Sequence, residues 1–213
     1  MRLLILRHGE TDFNRAKRIQ GQMQTELSEL GKEQARLLGE RLKGERISAL
    51  YCSALKRAIN TAEEIGKHHK HLMIINAPEL NERSYGVLEG LTFPEIEHKH
   101  PRIWPFVLPE KLDITIKPEG GESDEDISVR AMPFIHSVIR KHPEGTVVVV
   151  THGDVIRIII GELTHMSAQE RHDIPLSNVS ICELSVEGGR AKVVSLNDHE
   201  HIRHLEHTSN GTR

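Results

Sequence analysis

The sequence predicts an α/β fold, a three-layer α/β/α sandwich with a mostly parallel central sheet and a small cap over the site. Three observations carry that expectation. The runs Leu3 to Leu6, Ile47 to Cys52 and Thr146 to Val150 are short, apolar and without alternation, as strands buried on both faces are. Longer helical segments separate them, and alternation of strand with helix gives a parallel sheet covered on both sides. Two of the runs also lead directly into a histidine and a glycine, Arg7-His8-Gly9 and Thr151-His152-Gly153. Strand ends of open α/β sheets are where ligands bind.

In chain order, strands are expected near 2–6, 47–52, 73–76, 146–150, 178–185 and 191–196, and helices near 28–43, 54–68, 92–99, 123–141 and 153–163. Ser53 is read as the N-cap of the 54–68 helix. Pro78 turns the chain after the strand near 73–76. Ser123 followed by Asp126 is a capping-box-like start for the 123–141 helix, and Asp154 to Ile160 reads as a buried helix after the second His-Gly. The stretch 101–122 holds Pro101, Pro105, Pro109, Pro118 and two glycines, so it is neither a long helix nor a central strand. It is the expected cap, about 97–122. No repeat, low-complexity tract or second domain is apparent, and residues 1–213 read as one domain.

Composition narrows the function classes. A chain of 213 residues buries roughly 70% of its unfolded surface in one core. With 28 basic and 31 acidic residues it has no strongly basic face, which argues against nucleic acid as an obligate partner. No segment approaches the ~20 apolar residues of a membrane span, and the N-terminus has no leader-like pattern. Cys52 and Cys182 read as buried free thiols in a reducing, cytoplasmic setting. The histidines at 68, 69, 71, 199, 201, 204 and 207 match no closed zinc spacing, and Lys70 interrupts one group. They are read as surface residues, and neither metal nor cofactor is expected. The expected assembly is a homodimer.

The residues at the strand ends carry the chemistry. Arg7 offers a planar fork of donors to a phosphate or carboxylate, and His8 is a nitrogen nucleophile, base or metal ligand near neutral pH. Arg57, in the first turns of a helix, opposes the helix dipole, which a buried anion between it and the helix end would explain. Gly153 lets a ligand approach backbone N–H groups at a helix start. Two arginines and a charged His152 would hold His8 neutral.

Arg7-His8-Gly9-Glu10-Thr11, Asn14, Gln20-Gly21, Leu27-Ser28 with Gly31 and Gln34-Ala35, the segment Ser53 to Ala62, Leu80 and Glu82 with Gly86 and Glu89-Gly90, Gly120-Gly121-Glu122-Ser123, and His152-Gly153 fall in this order. Together they resemble the histidine phosphatase superfamily, its phosphoglycerate mutase-like branch, over about residues 2 to 200. The resemblance implies a phosphoglycerate mutase-like fold and metal-independent phosphoryl transfer through phosphohistidine. His8 would be the nucleophile, with Arg7, Arg57 and His152 around the phosphate and Glu82 as proton donor, chosen over Glu10, Glu79 and Glu89 by motif position. Asn14, Gln20, Gly21 and Tyr85 would contact the substrate, a small phosphorylated metabolite.

Three activities are weighed: a phosphomonoester hydrolase, a 2,3-bisphosphoglycerate-dependent phosphoglycerate mutase or a sugar bisphosphatase of the same superfamily, and a catalytically idle interaction protein. Every catalytic position is filled, which disfavours the last. Leu80 to Gly86 resembles the mutase and sugar-bisphosphatase versions of this segment. Phe93 stands where mutases carry a lysine, and the paired arginines of a mutase lid are absent from 97–122, where Lys99, Arg102, Lys111 and Lys117 are scattered instead. A hydrolase of small phosphomonoesters is the expectation, with its substrate chosen by the cap.

Overall fold

A computed structural model describes residues 1–104 and 117–205. Its centre is a six-stranded sheet, β1 (Arg2–Arg7), β2 (Ile47–Cys52), β3 (Ile74–Asn76), β4 (Thr146–Thr151), β5 (Ile181–Glu187) and β6 (Arg190–Asp198), in the order β3-β2-β4-β1-β5-β6. The first four are parallel, and β5 and β6 add an antiparallel edge. Gly188 and Gly189, both at positive φ, close the β5–β6 hairpin in two residues, a geometry that matches strand twist.

The strands without alternation are buried on both faces, and pleating sends successive side chains to opposite layers. Leu3 and Ile5 of β1, with Val147 and Val149 of β4, pack on α5 (Asp124–Lys141) and α6 (Gly153–Thr164). Leu4, Leu6, Val148 and Val150 face α2 (Glu29–Leu42) and α3 (Lys56–Gly66). This is the expected three-layer arrangement. Ser123 accepts from the Asp126 N–H and Asp126 accepts from the Ser123 N–H at 2.8 Å, the anticipated capping box of α5.

Several details differ from the sequence reading. Short helices form at α1 (Asp12–Arg15) and α7 (Ala168–His172), each started by its own capping box, where no helix was expected. The fourth helix, α4 (Phe93–Lys99), matches its expected place. Strand β5 begins at Ile181 and not at 178, because Val179 takes a φ of 53° and breaks the extended run. Helix α3 begins at Lys56, capped by Leu55 without a side-chain hydrogen bond, because the Ser53 hydroxyl is engaged elsewhere.

The histidine clusters are also not uniformly superficial. His69 is buried, with its Nε2 3.1 Å from the Leu42 carbonyl at the end of α2. His201 is half-buried, and burial lowers it to about 4. Helix-end packing outweighed the polar composition of those stretches. The centre of the expected cap, with Lys111, and His207 lie outside the described residues.

Candidate active site

Strands β1 and β4 are neighbours in register, Arg7 opposite Thr151, so the residues that follow them leave the sheet together. The His8 N–H donates to the Thr151 carbonyl at 3.1 Å, and the His8 and His152 rings stand 5.0 Å apart, tilted by 56°. Both are buried. Gly9 is required by packing: a Cβ there would sit 2.6 Å from the Gly31 carbonyl of α2.

Two contacts fix the His8 tautomer. Nδ1 lies 2.7 Å from the Gly9 carbonyl, which can only accept, and Nε2 lies 3.2 Å from the Arg57 Nε–H, which can only donate. The proton is therefore on Nδ1, and Nε2 carries a lone pair. Burial, then Arg57 and Arg7, hold His8 well below the usual histidine range, so it is neutral at pH 7. The His8 carbonyl accepts from the Asn178 Nδ2 at 3.0 Å and from the Val179 N–H. A β-branched residue at positive φ costs on the order of 1–3 kcal/mol. Here that conformation turns an N–H toward the backbone of His8.

Arg57 is 1% exposed and held from three sides: Nη1 donates to the Met23 carbonyl and to Thr25 Oγ1, and Nη2 to the Gly21 carbonyl, which leaves one Nη2 hydrogen uncommitted. Burial lowers it to about 10, which leaves it charged. Arg7 donates through Nη1 to the Leu176 carbonyl, while its buried Nε has no partner.

Ser53 is not a helix cap. Its Oγ donates to Asn81 Oδ1 at 3.0 Å, accepts from the Leu55 N–H, and lies 2.7 Å from His152 Nε2. With its one proton committed to Asn81, the hydroxyl accepts from His152, which puts that ring's proton on Nε2. Nδ1 of His152 is left buried without a partner. Burial, then Arg57, His8 and Arg7, hold His152 well below the histidine range. The expected charged histidine is thus neutral, because burial and the cations that protect His8 act on it as well.

Glu82 enters from the opposite wall, on the irregular segment 81–85. Its carboxyl accepts from the Arg83 N–H at 2.9 Å, and burial, reinforced by Asp154, raises it to about 7 against the pull of Arg57 and Arg7. Its carbonyl is gripped by Gln22 Nε2 at 3.0 Å and Arg130 Nη2 at 3.1 Å. Glu89 and Glu10, two of the three rival acids, are committed elsewhere. Glu89 accepts from the Gln22 and Tyr85 N–H groups, and Glu10 from Ser28.

Of the anticipated substrate contacts, Asn14 uses its Oδ1 to cap α1. Gln20 is buried, its Oε1 accepting from Thr11 and Thr25. Gly21, at φ 52°, turns its carbonyl onto Arg57. These three build the Arg57 side of the pocket. The Tyr85 hydroxyl donates to Asp154 Oδ2 at 2.6 Å, so it is turned to the protein. Gly153 opens α6, its position 4.0 Å from Glu82 Oε2 measured from a Cβ built there.

Sequence reasoning missed Arg83 and Asp154. Arg83, 4% exposed, donates through Nε to Asp154 Oδ2 at 2.8 Å, and through its other nitrogens to Asp124 and the Glu122 carbonyl. Adjacency to Glu82 and to His152-Gly153 was the available signal. Among the described residues no group of three His, Cys, Asp or Glu side chains is arranged to hold a metal ion.

Facing histidines with Arg7 at parallel strand ends, Arg57 beside them and a carboxyl raised to about 7 on the opposite wall make a candidate site for phosphoryl transfer on an α/β sheet. The chain belongs to the histidine phosphatase superfamily, branch 1, whose family model matches residues 3–199. It is 37% identical over 201 residues to a metal-independent phosphoserine phosphatase of Arabidopsis thaliana, covering 94% of this chain and 82% of the relative. A mycobacterial glucosyl-3-phosphoglycerate phosphatase, solved with vanadate (VO3), superposes with a TM-score of 0.83 at 33% identity, covering 92% of this chain and 98% of that one. A 2,3-bisphosphoglycerate-dependent phosphoglycerate mutase of Bartonella henselae is 33% identical over 178 residues, 79% of this chain and 84% of the mutase. With phosphatases among its relatives at the higher identity and coverage, the chain is a phosphoric monoester hydrolase.

Proposed function

We propose that this enzyme hydrolyses small phosphomonoesters in two steps through a phosphohistidine on His8. The observation that carries the reading is the His8 tautomer: a neutral ring, Nδ1–H toward the Gly9 carbonyl, and Nε2 unprotonated at the floor of the pocket, where it accepts from Arg57. Nε2 attacks phosphorus as the ester P–O bond breaks. The Gly9 carbonyl stabilises the positive ring that results, because Nδ1 keeps its proton. Arg7 and Arg57 bear on the phosphoryl oxygens, doing by fixed charge what a cation does in metal-dependent phosphatases.

Glu82, protonated below about pH 7, delivers its proton to the departing alkoxide. Its carboxylate then takes a proton from water. The water oxygen attacks phosphorus, the P–N bond breaks, and orthophosphate, neutral His8 and protonated Glu82 are left.

His152 has a separate role in this scheme. Its Nε2 proton is committed to Ser53, so Nδ1 can donate to a phosphate oxygen only after the ring gains a second proton. A dianion raises the pKa of a neighbouring histidine, so substrate itself charges His152. The reducing setting in which we place the enzyme, the cytoplasm, rests on its two buried free thiols.

The test is phosphate release from a panel of phosphomonoesters, with and without 2,3-bisphosphoglycerate. Free phosphate as the main product supports hydrolysis. Conversion of 3-phosphoglycerate to 2-phosphoglycerate with little free phosphate would replace it with the mutase reading.

A further inference from the structure

The nucleophile stands one residue beyond its strand, where the sheet no longer holds it fully on both sides. Strand β1 pairs with β5 from Arg2 opposite Ser185 to Leu6 opposite Ile181, a register that, continued, would set His8 opposite Val179. The continuation holds for one residue, since the Arg7 N–H still reaches the Ser180 carbonyl at 3.2 Å. At Val179 the backbone turns to a φ of 53° and the ladder ends, leaving its N–H a long 3.3 Å from the His8 carbonyl. The shorter bond to that oxygen comes from a side chain, Asn178 Nδ2 at 3.0 Å. A carbonyl can only accept, so the amide nitrogen and not its oxygen faces His8.

The His8 carbonyl shares a peptide plane with the Gly9 N–H, which donates to Thr61 Oγ1 of α3 at 3.1 Å. Thr61 is buried, and its own hydroxyl donates to the Arg57 carbonyl at 2.7 Å. One rigid plane is thus pinned at both ends, by residues 178–179 on the sheet side and by α3 on the other. The Gly9 carbonyl follows it in the chain, and that oxygen holds the imidazole Nδ1–H. Rotation of the plane would move the acceptor of Nδ1 and, with it, the aim of Nε2. The turn at 176–180 is itself anchored, because the Ser177 N–H donates to Asn197 Oδ1 of β6 at 2.6 Å and the Ser180 N–H to the Ser177 carbonyl. Its Leu176 carbonyl receives Arg7 Nη1, so Arg7 is held by backbone whatever side chain stands at 178.

We propose that Asn178 is a positioning residue for phosphoryl transfer to His8: its side-chain amide replaces the missing rung of the sheet and fixes the His8–Gly9 peptide, so that Nε2 is aimed for in-line attack. The inference rests on the reading of His8 as nucleophile and assigns the device that orients it.

The experiment is single-turnover release of p-nitrophenolate with enzyme in excess over p-nitrophenyl phosphate, which reads the phosphorylation step because the phenolate leaves without a proton. N178A should slow that step at saturation by about 10- to 100-fold, the scale of a misaligned reacting group. N178D keeps the shape of the side chain without a donor and should be as slow as N178A. In both variants the half-saturating enzyme concentration and the inhibition constant of sulfate should change less than about twofold, since uniform binding is not what is lost. A slowing of less than about fivefold in both variants, the worth of one ordinary hydrogen bond, would overturn the proposal. A wild-type rate in N178D would do so as well, by showing that shape and not the donor matters at this position. Loss of sulfate binding in step with the rate would make Asn178 part of the general frame of the pocket, which also overturns it. In the wild type, acid-labile radiolabel should reach His8 as fast as phenolate is released; its absence would overturn the nucleophile reading instead, whatever the variants do.

Discussion

The pocket has two walls built by different means. The floor, with Arg7, His8 and His152, hangs from two adjacent parallel strands whose backbone ladder places each residue. The opposite wall, 81–85, is not part of the sheet. It carries Glu82 between two short 3-10 turns and is held by side chains: Arg83 on Asp154, Asp124 and Glu122, Arg130 on the carbonyls of 79 and 82, Gln22 on the carbonyl of 82. A ladder tolerates the loss of one side chain, whereas a side-chain scaffold fails at its most buried member. Substitutions in the floor should therefore remove chemistry and spare the fold, and substitutions in the wall should damage both.

The largest expected effect is His8→Ala, which should lower turnover by several orders of magnitude while thermal unfolding changes little, because nucleophile and pocket act as a unit. Acid-labile, base-stable label on His8 after quenching the wild type should vanish in the variant. Label on a serine instead would break the floor's assigned role.

Arg83→Met tests the wall. Removing one partner of a buried ion pair leaves Asp154 and Asp124 short of a counter-charge, and a loss of about 3–5 kcal/mol in denaturant unfolding is expected. A stability within 1 kcal/mol of wild type, the usual scale of an exposed pair, would mean that the backbone holds the wall after all.

Glu82→Gln separates chemistry from scaffold. Turnover of alkyl esters should fall by about 10²–10⁴, and that of aryl phosphates, whose phenolate leaves without a proton, far less. The pH profile carries a sign. Burial raises the carboxyl to about 7, so the acid form is present below that pH, and kcat/KM for alkyl esters should decline as pH rises through it. The variant should have lost that limb. Equal damage to both ester classes would reassign Glu82 to positioning.

A smaller effect is expected at His152. Sulfate remains a dianion across the physiological range, so its binding reports protein protonation alone. In the Glu82→Gln background, calorimetry in buffers of different ionisation enthalpy should show proton uptake, and affinity should rise as pH falls from 8 to 6. The direction follows because burial and Arg57 hold His152 low and the anion raises it. Binding without proton uptake would mean that His152 donates from Nε2 and that Ser53 is not its fixed acceptor. The smallest expected effect is that of chelation: EDTA should leave the rate unchanged, and rescue by Zn²⁺ or Mg²⁺ would remove the fixed-cation account.

By itself the sequence determined the sheet, its layers and the floor of the site. Runs such as Val147 to Val150 can be satisfied only inside a sheet, and a residue directly after a strand inherits that strand's position. Arg7, His8 and His152 were legible for that reason, and Arg57 because a cation at a helix start needs an explanation. Glu82 was reached through motif resemblance, since nothing local distinguishes it from Glu79 or Glu89. The tertiary structure alone decided what depends on partners distant in sequence. Ser53 reads as a helix cap until Asn81 and His152 are brought to its hydroxyl. His152 reads as charged until burial beside Arg57 is counted. Asp154 reads only as the start of a buried helix until Arg83 and Tyr85 arrive from another segment and take its Oδ2.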